Sequence, residues 1–125
     1  MAMVLVVEDE FGIAELLDTV LTEEGYQVVT AMNGRDGLEL LTRDRPELVL
    51  SDYMMPVMDG ALMLARIKAD PALQGIPVVM MSSMPEATVA ERCAGHAAFL
   101  RKPFKLTEVV ILVERLIGRA ISGSP

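Results

Sequence analysis

LVLSDYMMPVMDG, residues 48–60, is the stretch of this sequence that decides its fold. The apolar run at residues 48–50 is too short for a helix and is typical of a strand that is buried on both faces of a sheet. Asp52 follows that run, and Pro56 and Gly60 then mark a loop. Because open α/β sheets place their chemistry at the carboxyl ends of the strands, Asp52 is the first candidate functional residue.

A short apolar run followed by a segment of helical periodicity recurs along the whole chain. The runs that favour strands are residues 4–7, 26–30, 48–51, 78–81 and 99–100. Helical segments are predicted after each run, and the one at residues 85–94 has the thinnest apolar face. Five successive β-then-α units predict one doubly wound parallel sheet with helices on both faces, since parallel neighbours need crossover connections.

The overall composition indicates one folded, acidic domain. The 125 residues are 52% hydrophobic and carry a net charge of -7, which argues against disorder and against direct binding to nucleic acid or to an anionic membrane. Cys93 is the single cysteine, so no intramolecular disulfide forms and a reducing, cytoplasmic setting is expected. No apolar run approaches the roughly 20 residues of a membrane span. We predict a domain at residues 1–118 and a frayed C-terminal tail at residues 119–125.

Four predicted strands end next to residues that can do chemistry, namely Glu8 with Asp9, Asp52, Ser82 and Lys102. In a parallel sheet these ends share one edge. Carboxylates gathered there repel one another unless a cation joins them, and oxygen ligands without His or Cys favour Mg²⁺. Aspartate is a known nucleophile toward phosphoryl groups, whose oxygens a hydroxyl and an ammonium can hold. The sequence therefore predicts a phosphoryl acceptor site centred on Asp52.

These residues resemble the response-regulator receiver domain of two-component signalling systems. The resemblance covers nearly the whole chain and rests on four motifs in order: Glu8-Asp9, Asp52 with residues 54–60, Ser82, and residues 99–104. It implies a flavodoxin-like strand order of 2-1-3-4-5 and a phosphorelay domain rather than an enzyme acting on external substrates. Asp52 would receive the phosphoryl group from a histidine kinase or a histidine phosphotransfer protein.

The resemblance also implies a role for each remaining motif residue. Asp9, Asp52 and the backbone carbonyl of Met54 would coordinate Mg²⁺, and Glu8 would contribute directly or through water. The residues that would contact the phosphoryl group and report on it are Lys102, Ser82 and the aromatic switch Phe99. The face formed by the fourth helix, the fifth strand and the last helix would carry the signal to a downstream protein or effector domain, with the domain itself a monomer or weak homodimer.

Several local features sharpen or depart from this resemblance. The interval from Ser82 to Lys102 is about two residues shorter than is typical, so the helix at residues 85–94 is expected to be short, shifted or partly unfolded. Met54 and Met84 lie two residues beyond Asp52 and Ser82, and neither can orient water, which predicts slow autodephosphorylation. The local predictions are that Asp59 caps a helix, that His96 faces solvent, and that Lys102-Pro103 is cis, as the family usually has it.

Simpler interpretations exist for each residue alone. Asp9 could cap the first helix, Lys102 could be a solvated surface lysine, Ser82 a turn residue and Phe99 an ordinary core residue. Two other functions are alternatives for the site. A Mg²⁺-dependent phosphohydrolase with an aspartyl-phosphate intermediate would want an aspartate where this chain has Met54, and a degenerate receiver acting only as a binding module would not need the intact acidic and lysine residues.

Overall fold

Strands and helices alternate along the described part of the chain, as the sequence predicts. The computed structural model describes residues 2–122, with side chains for residues 2–118. The strands are β1 (Met3–Val7), β2 (Gln27–Ala31), β3 (Leu48–Asp52), β4 (Val78–Ser82) and β5 (Ala98–Arg101). The helices are α1 (Phe11–Glu23), α2 (Gly34–Asp44), α3 (Gly60–Ala69), α4 (Glu86–Ala90) and α5 (Leu106–Ser122).

The sheet is parallel and has the order β2-β1-β3-β4-β5, which confirms the predicted doubly wound, flavodoxin-like fold. One core layer lies between the sheet and α2, α3 and α4, and contains Leu41, Met63 and Val89. The other lies between the sheet and α1 and α5, and contains Leu17 and Val113. Every residue of β3 and β4 is buried, because helices cover both faces of these central strands.

The helix starts follow ordinary capping chemistry at α2 and α3. The side chain of Asp59 accepts a hydrogen bond from the backbone N–H of Leu62 at 2.9 Å, so the predicted cap of α3 is confirmed. Helix α1 instead has Glu10 at its N-cap position and no side-chain cap. The simpler interpretation of Asp9 as the cap of α1 is therefore wrong, and the Asp9 carboxylate is available for other contacts.

The segment after β4 is the least regular part of the fold. Helix α4 has only five residues, of which Val89 alone is buried, in agreement with the expected shortening. The prediction that His96 faces solvent is wrong, because its side chain is only 14% exposed. Gly95 turns the chain with a φ of 92°, and the Ala97 N–H then donates to the Val78 carbonyl. The His96 side chain between them is carried toward α4, where its Nε2 lies 3.3 Å from a Glu86 carboxylate oxygen.

Helix α5 continues through Ser122, four residues beyond the predicted domain boundary. The rest of the predicted tail, residues 123–125, lies outside the described residues, and the boundary at 118 stays a prediction. Within the part of the chain that the structure describes, no helix combines the length and the apolarity that crossing a bilayer requires.

Candidate functional site

Three carboxylates meet at the carboxyl edge of the sheet. Glu8 and Asp9 follow β1, and Asp52 ends the neighbouring strand β3. One oxygen from each lies within 4.8 Å of the others. Glu8 is fully buried, Asp52 is 8% exposed and Asp9 is exposed. The sheet therefore gathers the predicted acidic residues, with Asp9 on the solvent side of the cluster.

Lys102 supplies the positive charge of this cluster. Its Nζ donates a hydrogen bond to Glu8 Oε1 at 2.8 Å and lies 3.4 Å from Asp52 Oδ1. The backbone holds the lysine there, because its N–H donates to the Ser82 carbonyl at 2.8 Å directly after β5. The following Lys102–Pro103 peptide is cis, as the resemblance implies. Three acidic groups therefore share a single ammonium, so the cluster holds more carboxyl groups than Lys102 can pair.

Burial and charge together change the pKa values of Asp52 and Lys102. Burial first, and the Glu8 charge second, raise the pKa of Asp52 to about 7, although Lys102 acts in the opposite direction. Burial alone would lower the pKa of Lys102, but the hydrogen bond to Glu8 and the Asp52 charge more than offset it, so this pKa is raised. Asp52 is therefore partly protonated near neutral pH without a metal, while Lys102 is charged.

The donor set fits a divalent cation. It contains only oxygen ligands, its carboxylates are already gathered, and its charge is not compensated by Lys102. Hard cations such as Mg²⁺ prefer such oxygen ligands, whereas softer metals prefer His or Cys, which the cluster lacks. A cation here would favour the ionised form of Asp52, since an opposite charge lowers a carboxyl pKa.

The loop that follows Asp52 is held close to the strand ends by backbone contacts. Tyr53 N–H donates to the Met81 carbonyl, and Gly60 N–H donates back to the Tyr53 carbonyl, each at 2.9 Å. A side chain at Gly60 would not fit, because its Cβ would lie 2.5 Å from the Asp52 carbonyl oxygen. Within the loop, Val57 adopts a φ of 70° in a tight turn, a rare conformation for a β-branched residue.

Ser82 and Phe99 lie on β4 and β5, next to the acidic cluster. The register aligns Asp52 with Met81, so Ser82 stands one residue further toward the carboxyl edge. Ser82 is buried, and its hydroxyl accepts a hydrogen bond from the Met84 N–H at 3.0 Å. Phe99 is partly buried and packs against the core layer under α2, α3 and α4. The fold thus places both predicted reporter residues, while their roles remain predictions.

One site neighbour escaped the sequence analysis. The Arg92 guanidinium lies 6.0 Å from the centre of the Tyr53 ring and 3.9 Å from an Asp59 carboxylate oxygen. With Met54 and Met84 it lines a cleft of about 300 Å³ beside the phosphoacceptor loop. The sequence around Arg92 does not predict these contacts, because they depend on how residues 91–97 fold back after the short helix α4.

Comparison with known proteins assigns this constellation to a family. The sequence model of the response regulator receiver domain matches residues 4–114. Sporulation initiation phosphotransferase F of Bacillus subtilis is 34% identical over 116 residues, which cover 91% of this chain and 92% of that protein. Response regulator PleD of Caulobacter vibrioides is also 34% identical, over 98% of this chain but 30% of its own length, so this chain spans less than a third of PleD.

The fold comparison agrees with the sequence comparison. The receiver domain of the sensor histidine kinase PA1611 from Pseudomonas aeruginosa, solved with a magnesium ion coordinated in the active site cleft, superposes with a TM-score of 0.87. It is 28% identical, and the alignment covers 94% of this chain and 98% of that chain. From its sequence, its sheet order and the residues at its strand ends, the chain belongs to the response regulator receiver domain family.

Proposed function

We propose that Asp52 accepts a phosphoryl group from a phosphohistidine of a histidine kinase or a histidine phosphotransfer protein in the cytoplasm. The observation that carries the proposal is the buried Asp52 carboxylate, 3.4 Å from the Lys102 ammonium and grouped with Glu8 and Asp9. A structural ion pair alone would not need two further carboxylates in this place, since their mutual repulsion costs free energy. A phosphorylation site that uses a cation does need them.

The acidic cluster would hold Mg²⁺ through Asp9, Asp52 and the Met54 backbone carbonyl, with Glu8 acting directly or through water. The gathered carboxylate oxygens support this assignment, as does the magnesium ion in the related PA1611 receiver domain. Bound Mg²⁺ would offset negative charge on the transferring phosphoryl group. The exposed position of Asp9 leaves the cluster reachable from solvent.

The protein side chains would carry out the transfer in one displacement. A carboxylate oxygen of Asp52 forms the new bond to phosphorus as the bond between phosphorus and the donor imidazole nitrogen breaks. Lys102 shifts from the carboxylates to a phosphoryl oxygen, and the Ser82 hydroxyl contacts another. Both movements start from observed contacts, the Lys102–Glu8 hydrogen bond and the bond from Met84 N–H to the Ser82 hydroxyl.

The signal would then pass from Ser82 to Phe99. A phosphoryl group adds roughly -1.5 to -2 charge and three strong acceptors, which draw the serine hydroxyl inward. The partly buried Phe99 ring occupies the vacated space and changes the face formed by α4, β5 and α5, which would contact a downstream protein or effector domain. Moving the domain from almost entirely inactive to almost entirely active requires that the phosphoryl group favour the active state by about 5.5 kcal/mol. A smaller preference would produce partial switching.

The direct test is phosphorylation by acetyl phosphate in the presence of Mg²⁺, read by intact mass. Wild type should gain one phosphoryl group, whereas Asp52→Asn should gain none. Asp18→Asn is a matched control, because it removes a half-buried carboxylate of α1 that accepts a hydrogen bond from the Thr22 hydroxyl and lies outside the acidic cluster. Modification of Asp52→Asn to the wild-type extent would overturn the proposal, as would wild-type modification that is unaffected by removing Mg²⁺ with a chelator.

A further inference from the structure

The peptide group between Ser83 and Met84 is held at both of its polar ends. Its carbonyl accepts a hydrogen bond from Arg101 Nε at 2.9 Å, and its N–H donates to the Ser82 hydroxyl at 3.0 Å. A peptide group is planar, so fixing the direction of the carbonyl also fixes the direction of the N–H on the opposite side. Arg101 therefore fixes the direction of the donor that bonds the Ser82 hydroxyl.

Strand β5 places Arg101 where it can make this contact. The sheet register pairs Arg101 with Ser82, and the Lys102 N–H donates to the Ser82 carbonyl at 2.8 Å. Two successive carbonyls, those of Ser82 and Ser83, are thus bonded from β5, the first by its backbone and the second by the guanidinium. Among the side chains described, residues 2–118, Arg101 takes part in no ion pair, so its contact with the Ser83 carbonyl is not a by-product of charge pairing.

The proposed phosphoryl transfer requires the Ser82 hydroxyl to leave the Met84 N–H for a phosphoryl oxygen. Ser82 is buried and Ser83 is exposed, so the peptide group that follows lies at the border between the site and solvent. A peptide group that could turn there would exchange the hydroxyl for water, and the resting bond would be lost at small cost. While Arg101 holds the carbonyl, the N–H stays directed at the resting position of the hydroxyl, which that bond favours.

We propose that Arg101 is a positioning residue that retains Ser82 in its resting orientation and so limits the response to phosphorylation. The inference rests on the proposed function, because it concerns the movement of Ser82 in that reaction. A single hydrogen bond changes an equilibrium by a factor of about 2 to 10, and the exposed position of this one places its effect near the lower end, at about threefold. Loss of a positive charge alone would act in the opposite direction, because it would weaken the attraction for an anionic phosphoryl group.

The first test measures the affinity of the full chain for beryllofluoride, a phosphoryl analogue, by calorimetry in the presence of Mg²⁺. Arg101→Met should bind it about threefold more tightly than wild type, because it can no longer hold the carbonyl of the 83–84 peptide group. Arg66→Met is the matched control and should bind as wild type does, since it removes an exposed guanidinium from α3. In a Ser82→Ala background, Arg101→Met should leave the affinity unchanged, because the hydroxyl through which it acts is gone.

Amide hydrogen exchange without Mg²⁺ or beryllofluoride gives a second readout. The Met84 N–H should exchange severalfold faster in Arg101→Met than in wild type, while Leu50 in β3 stays unchanged. Equal exchange at Met84 in the two proteins would overturn the proposal, as would equal or weaker beryllofluoride binding by Arg101→Met. An undiminished gain in the Ser82→Ala background would overturn it too, because Arg101 would then act by another route. Failure of wild type to bind beryllofluoride at all would instead overturn the proposed function, and this proposal with it.

Discussion

Two connections leave the central strands at the functional edge of the sheet, and the structure holds them very differently. The loop at residues 53–60 is bonded to β4 at its start and closed on itself at its end by the bond from Gly60 N–H to the Tyr53 carbonyl. The Gly34 N–H also donates to the Met58 carbonyl of this loop at 2.9 Å. Its last residue is Gly60, where no side chain would fit. This loop presents the acidic residue to the site, so its geometry is fixed before any phosphoryl group or cation arrives.

The segment at residues 83–97 has fewer constraints. Its two ends are bonded to the sheet, through the Ser83 carbonyl and the Ala97 N–H. Between them the helix is five residues long, and its main anchors are the buried side chains of Val89 and Cys93 and the Glu86–His96 contact. Arg92 connects it to the first loop through an exposed ion pair at 3.9 Å, which contributes little to stability. The contrast teaches that the acceptor is rigid while the segment next to the proposed switch can change conformation at small cost.

The largest expected effect is on the rigid loop. Gly60→Ala should lower the free energy of unfolding by about 3 kcal/mol, since its Cβ would meet the Asp52 carbonyl oxygen and the Tyr53 backbone, which cannot move aside cheaply. Gly95→Ala in the other segment should cost only about 1–2 kcal/mol, the penalty of a positive φ next to a flexible Lys68 side chain. Urea unfolding measures both, and equal costs would contradict the comparison.

The next effect is the pH dependence of the acceptor. The folded pKa of Asp52 is about 7 against an ordinary 3.8, so folded protein binds this proton more tightly than unfolded protein does. The associated stability is fully present below about pH 4 and is lost as the pH rises through 7. The pKa difference corresponds to a loss of about 4 kcal/mol in the free energy of unfolding between pH 4 and pH 8. Because the structure relaxes around ionised Asp52, we expect Asp52→Asn to be more stable than wild type at pH 8 by about 2 kcal/mol.

Denaturation of both proteins at pH 4 and pH 8 in a chelator measures this advantage. The two stabilities should converge at pH 4. Added Mg²⁺ should raise the stability of wild type at pH 8 more than that of Asp52→Asn, because the cation binds the ionised carboxylate. Equal stability of the two proteins at pH 8 without metal would show that Asp52 is not held in a repulsive, buried environment.

The sequence predicted the rigid region well for a physical reason. Strand ends in a parallel sheet share an edge, so residues adjacent to separate apolar runs, such as Glu8, Asp52 and Lys102, could be grouped before their distances were known. The cap at Asp59 depends only on local geometry and was also predictable. The sequence did not predict how burial and contacts differ within the cluster. Glu8 is fully buried and bonded to Lys102, whereas Asp9 is exposed to solvent.

The second region was harder to predict because its contacts are tertiary and its periodicity is weak. His96 follows a glycine in a polar segment, so the sequence favoured an exposed position, yet the turn at Gly95 carries the ring against Glu86. The contacts of Arg92 with Tyr53 and Asp59 arise from the same fold-back. The sequence predicted that this segment is short, but it did not predict the path of the backbone through it.

The lifetime of the aspartyl phosphate tests the cleft between the two regions, which Met54 and Met84 line. Met54 is 64% exposed and Met84 lines the same cleft, and neither thioether can orient a water molecule for attack on an aspartyl phosphate. We expect the phosphorylated wild type to persist for minutes or longer, and Met54→Asn to shorten its lifetime about tenfold by positioning water. Met54→Leu is the apolar control, and a wild-type lifetime of seconds without a phosphatase would contradict the prediction.

The smallest effect concerns the contact that closes the second region. Glu86→Gln keeps the shape of the side chain but removes the carboxylate that faces His96 at 3.3 Å, and should lower the global free energy of unfolding by only about 0.5 kcal/mol, as for a single long hydrogen bond with one exposed partner. Its local effect should be larger in proportion, because few other contacts hold α4. Amide hydrogen exchange should therefore become severalfold faster at Val89 while that of buried β3 residues such as Leu50 stays unchanged. Equal acceleration at both sites would mean that the segment opens only when the whole domain unfolds, and the proposed contrast between a rigid acceptor loop and an adaptable neighbouring segment would then be wrong.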